Sequence, residues 1–147
     1  MSTTTWESLM HLISLDASNE DKISQILQTL PEEERLVLIN RPSSVTAGGE
    51  TMLMWAAWRH KSKTVADLLR YGADPKYSND TNESVATYLI IDEHADQDEQ
   101  LKVFEIAKQL RAKGARLNRE GMYSYSLVRR AYEYNLVTLL EKLKLLG

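Results

Sequence analysis

The chain has 147 residues, 43% hydrophobic and 27% charged, with a formal net charge of −3 and no cysteine. That length suits one domain able to bury its own core, and the composition is that of an ordinary globular protein. Disulfides and thiolate metal sites are excluded, and no segment approaches the roughly 20 apolar residues of a membrane span.

The net charge conceals a division. Residues 1–100 carry 8 lysines and arginines against 17 acids, whereas residues 101–147 carry 10 against 4. The basic third is either a patch for an acidic partner protein or a set of solvated helix faces. Overall acidity and the lack of a nucleic-acid motif argue against a nucleic-acid partner. The opening MSTTTWESLMHLISL has no basic region and no long apolar run, so no signal peptide is expected. The expected location is the cytoplasm, or a host cell reached without a conventional signal.

In chain order, DKISQILQTL reads as a helix with Ile23, Ile26 and Leu27 turned inward. PEEERLVLI follows as an extra helical turn, with Pro31 at its first position. Residues 49–75, GETMLMWAAWRHKSKTVADLLRYGADP, read as two short helices. Leu53, Ala56 and Ala57 give the first an apolar edge with small residues for close approach. Val65, Leu68 and Leu69 form the buried face of the second, Gly72 supplies its left-handed stop, and Asp74-Pro75 turns the chain away. QLKVFEIAKQLRAKG forms a later helix ending at Gly114-Ala115, preceded by the acidic IDEHADQDE. SYSLVRRAYEYNLVTLLEKLKLLG closes the chain, with Leu127, Ala131, Leu139, Leu140 and Leu143 inward.

Residues 49–75 resemble the ankyrin repeat, whose pattern runs G-x-T-P-L-H-x-A-A, a short loop, V-x-x-L-L, then G-A-D-P. Gly49, Thr51, Leu53, Ala56, Ala57, Val65, Leu68, Leu69, Gly72, Ala73, Asp74 and Pro75 match; Met52 and Met54 replace the proline and histidine. Ser84 follows Thr51 by one ankyrin period, and Ser8-Leu9-Met10-His11 is similar to the T-P-L-H start. The spacings around these weaker copies leave insertions at IDEHADQDE and at PEEERLVLI. The resemblance implies an all-α, ankyrin-repeat α-solenoid of about four helix pairs, one domain over 1–147, with repeats near 4–47, 48–80, 81–119 and 120–147. End repeats are atypical because each presents a polar outer face. The competing architecture is an irregular helical bundle containing one ankyrin-like hairpin.

Chemistry is sparse. The histidines are His11, His60 and His94, and no zincin, Walker or dinucleotide pattern occurs. The resemblance gives His11 a structural role in bonding neighbouring backbone. The run Asp92 to Glu99 lacks the spacing and glycine of a calcium loop, so a solvated acidic loop is expected there. No catalytic residue, cofactor or metal is assigned.

Aromatics are few but grouped. In the ankyrin pattern, positions beside the T-P-L-H and A-A residues face away from the core on the concave side. Those positions hold Trp55, Trp58 and Arg59, then Tyr88, then Arg129 and Tyr132, while Tyr77, Tyr123 and Tyr125 fall in or near connecting loops. Aromatics and arginine are what protein interfaces favour; the other reading is that they fill gaps between irregular helices. The expectation is a protein-binding module that inhibits, masks or tethers a partner, in the manner of small bacterial immunity or effector proteins. The rival is a small helical enzyme or metal-binding protein using the acidic loop around His94.

Overall fold

A computed structural model describes residues 3–44, 49–115 and 127–146. Its described residues form nine helices and no strand: α1 (Thr3–Ser14), α2 (Glu20–Thr29), α3 (Glu32–Ile39), α4 (Met52–Trp58), α5 (Ser62–Arg70), α6 (Val85–Tyr88), α7 (Gln97–Ala112), α8 (Leu127–Glu133) and α9 (Val137–Leu146). The all-helical class is as the sequence implies.

Four of these helices stop by one device. Gly72, at φ +101°, donates its N–H to Leu69, and Ala73 donates to Leu68. Gly114, at φ +96°, repeats the arrangement with Arg111, as Ala115 does with Leu110. This pair of bonds satisfies carbonyls that the last helical turn would otherwise orphan. The same bonds close α4 and α8, but there the left-handed residue is His60 (φ +56°) or Asn135 (φ +55°). Histidine and asparagine are among the few side chains that tolerate this region. Thus α5 and α7 end on glycine, and α4 and α8 on a polar side chain that can reach outward.

The helices pack in two lines of contact. α4 lies against both α1 and α6; α5 lies against α2 and α7, and α7 against α9. α1 with α2, α4 with α5, and α8 with α9 form the pairs. One continuous core runs through them, from Trp6, Leu9 and Ile13 through Ile23, Leu27, Leu53, Leu68 and Leu110 to Leu139 and Leu143. Ala56 and Ala57 are fully buried where helices approach closely. Met52 and Met54 are buried as well, so α4 is enclosed on more than the one edge the sequence suggests. Their flexible apolar chains fill that space. Ile26 and Leu140 are only partly buried, packed at the margin of the core.

The insertions resolve differently from one another. α3 is a two-turn helix that Pro31 precedes rather than begins, with φ −58° and ψ 146°. Arg35 ties it back, donating to the Leu27 carbonyl at 3.2 Å and lying 3.9 Å from the centre of the Tyr71 ring. α6 is a single turn, and part of the acidic insertion joins α7. Asp96 caps α7 by accepting the Glu99 N–H at 2.9 Å, which starts that helix early.

Polar contacts lock the turn between α4 and α5 to both neighbours. Arg59 Nε donates to the Ser14 carbonyl at 2.6 Å. Lys61 Nζ donates to the Ala17 carbonyl and to Asn19 Oδ1, each at 2.8 Å. Burial holds this amine below its ordinary value, because the charged form loses hydration. Glu20 Oε2 accepts the Thr64 N–H at 2.8 Å and so caps α5 from the preceding pair. On the other side His60 reaches the Ile90 carbonyl (Nε2, 2.6 Å) and Glu99 (Nδ1, 2.8 Å).

Candidate protein-binding surface

Trp55, Trp58 and Arg59 meet at the end of α4. The two indoles pack edge to face with centroids 5.1 Å apart, and the Arg59 guanidinium lies 4.2 Å from the Trp58 ring centre. All three are half-buried. The i, i+3 spacing of Trp55 and Trp58 brings them to one side of the helix. Arg59 Nε is anchored on Ser14, which fixes the side chain across the indole.

On α1, Trp6 and Met10 stand one turn apart and add to this group. Trp6 and Trp55 are walls of one open cleft of about 300 Å³, which Met10, Ser14 and Ser43 also line. Arg41 lies 4.7 Å from the Trp6 ring centre. The sequence pointed to none of Trp6, Met10 and Arg41 as binding residues. The available signal was the spacing of Trp6 and Met10 on a helix that α4 packs against; Arg41 follows α3 and had no local signal.

The other expected residues divide. Tyr88, on α6, donates its hydroxyl toward Glu50 at 2.8 Å and Glu83 at 3.1 Å. Burial, and then these carboxylates, push its phenol far above the ordinary value. Tyr77 donates to the Gly49 carbonyl at 3.2 Å, and burial with the charges of Asp80 and Glu50 raises its phenol too. Both hydroxyls therefore hold the loops before α4 and α6. Asn79 completes that second loop by accepting the N–H groups of Thr81 and Glu83. Tyr132 is 74% exposed on α8, and Arg129 lies 3.5 Å from Glu133 one turn on. Tyr123 and Tyr125 lie outside the described residues.

His11 is exposed, and its side chain is not buried against a neighbouring pair. His94 is 88% exposed, with Glu93 at 3.7 Å, and the loop is shaped by Asp92 accepting the His94 backbone N–H at 2.8 Å. Among the described residues no three histidine, aspartate or glutamate side chains converge as a metal site, and no helix is long and apolar enough to cross a membrane. A second cleft of about 350 Å³ lies between α5 and α7, lined by Ala66, Leu69, Arg70, Gln109, Ala112 and Lys113.

Compared with models of known protein families, the chain matches none. It matches no curated protein either.

Proposed function

We propose that the chain is an ankyrin-type solenoid of about four helix pairs that binds another protein and inhibits, masks or tethers it. On this reading the line of contact α1–α4–α6 corresponds to the first helices of successive repeats, and α2–α5–α7–α9 to the second. The recurrent caps at His60 and Asn135, and at Gly72 and Gly114, support this reading, since they recur at equivalent places in different pairs. The single observation that carries the binding role is the Trp55–Trp58–Arg59 group, left half-exposed on the first-helix side. Trp55 packs in part against the core, and both rings keep some surface open to solvent. Large rigid side chains in a partly solvated setting are what a partner covers with least loss of rotamer freedom.

The test pairs stability with affinity on Trp58→Ala and Tyr132→Ala, using a partner recovered by cross-linking in the native cell. Each truncation should cost about 2 kcal/mol or more of binding. Tyr132→Ala should move stability by about 0.5 kcal/mol or less. Trp58→Ala should cost about 1 kcal/mol through its lost aromatic pair. Unchanged affinity of the folded fraction in both variants refutes the reading.

A further inference from the structure

A row of five side chains crosses from α1 to α4: Arg41 over Trp6, Trp6 and Trp55 on either side of the open cleft, Trp55 against Trp58, and Trp58 beneath Arg59. Most of the cleft's surface is apolar, with Met10 among its walls beside the polar Glu7, His11, Ser14 and Ser43, and it has room for one large apolar side chain. Two arginines touch its lining residues: Arg41 lies over the Trp6 ring, and Arg59 donates to the Ser14 carbonyl. Neither Arg41 nor Arg59 has a carboxylate within ion-pair distance among the described residues. The chain carries more acids than bases, yet among the described residues these two guanidiniums rest on indoles and pair with no carboxylate. Stacking fixes their position and leaves planar donors for a carboxylate.

From this we infer that the cleft receives an acidic segment of a partner protein, with one bulky apolar residue between Trp6 and Trp55 and carboxylates on Arg41 and Arg59. The inference rests on the protein-binding reading and gives that reading a chemistry. It places the electrostatic contact on the first two helix pairs, away from the basic C-terminal third. Exposed Glu7, which also lines the cleft, opposes an acidic ligand and sets an upper limit on its charge near α1.

The experiment uses the intact chain and two kinds of probe. The first is a displayed library of random twelve-residue peptides. The second is a defined pair of peptides with a central Leu-Phe, flanked in one by aspartates and in the other by lysines. Trp55 lines the cleft and is partly exposed, so its share of the intrinsic emission reports occupancy. The library should enrich acidic sequences with a bulky apolar residue, and the aspartate peptide should shift tryptophan emission where the lysine peptide does not. Arg41→Gln should weaken the aspartate peptide by about fivefold, and Glu7→Gln should strengthen it by about twofold. Arg41→Glu should reverse the preference toward the lysine peptide. Thermal melts on each variant separate loss of binding from loss of fold; Arg41 has no described side-chain contact beyond the Trp6 ring, so its variants should melt with the wild type. Enriched peptides that lack acids, or whose binding ignores Arg41→Glu, overturn the acidic cleft and leave protein binding standing. A library that enriches nothing, with no emission change from either defined peptide at millimolar concentration, overturns both.

Discussion

The second helix pair and the last one are built from similar sequence material and held in different ways. The turn between α4 and α5 is tied to its neighbours by Arg59, Lys61, Glu20 and His60, each reaching a group in a different pair. The turn between α8 and α9 ends in the same capping geometry, but Asn135 at its tip is exposed. The last pair is joined through the α7–α9 contact, where Leu139 and Leu143 are buried and Leu139 donates its N–H to Gln100 Oε1 at 3.1 Å. Tyr132, Val137 and Leu145 stay exposed. Among the described residues α4 and α5 contact α1, α2, α6 and α7, whereas the main contact of α8 and α9 with the rest is that of α9 with α7. The shared capping geometry therefore does not guarantee shared stability, which depends on the contacts each helix pair makes with the rest of the core.

The largest expected effect tests that contrast in the core. Leu68→Ala, in fully buried surroundings on α5, should cost about 3–5 kcal/mol. Leu143→Ala, near the end of the chain, should cost about 2 kcal/mol, because surrounding side chains can relax into the gap. Urea unfolding of both variants gives the comparison, and equal losses would abolish the difference drawn between the pairs.

Next comes the cap of α5. A Cβ at Gly72 would lie 2.7 Å from Leu36 Cδ1, at a φ that disfavours any side chain. Gly72→Ala should destabilise by about 1–3 kcal/mol, whereas Asn135→Gly at the equivalent left-handed position of α8 should change stability by only a few tenths. A Gly72→Ala variant as stable as the wild type would show that the α3 contact yields freely.

A smaller loss is expected from the joint between pairs. Glu20→Ala removes the acceptor of the Thr64 N–H and should cost about 1 kcal/mol. Hydrogen exchange at Thr64 should rise in this variant ahead of exchange at Leu68. Unchanged protection at Thr64 would mean that the α5 N-terminus is held by other contacts.

Smallest at neutral pH is the contribution of the two half-buried phenols. Tyr77 and Tyr88 have raised values in the folded chain, so their stabilisation is complete below the ordinary phenol value near pH 10 and is lost as pH rises beyond it. Lys61, held low by burial, acts in the opposite sense toward alkaline pH. The phenol contribution is therefore read as the difference between wild type and Tyr88→Phe, which should lose less stability between pH 9 and 11. Glu83 adds an acid counterpart. Asn79, Thr81 and Tyr88 donate to its carboxylate and hold it below the usual range, so that stabilisation is present above the usual range and lost as pH falls through it. Parallel alkaline curves for the two proteins would remove Tyr88 from this role.

The helical class and most of the helix faces were legible in sequence because they depend on local periodicity. Val65, Leu68 and Leu69 are buried as the spacing indicates, and Gly72 and Gly114 adopt the left-handed stop that only glycine takes without cost. His60 and Asn135 carry the same stop without being legible, because a polar side chain in that conformation leaves no compositional mark. The grouping of Trp55, Trp58 and Arg59 followed from their closeness along one helix. Which aromatics remained half-exposed did not. Tyr77 and Tyr88 spend their hydroxyls on Gly49, Glu50 and Glu83, residues of other loops, while Trp6, Met10 and Arg41 join α4 from well before it in the chain. Such pairings depend on how helices stack. Local periodicity fixes which face of a helix is apolar, whereas the neighbour that covers it, and the cleft left between two of them, arise only when the pairs are packed.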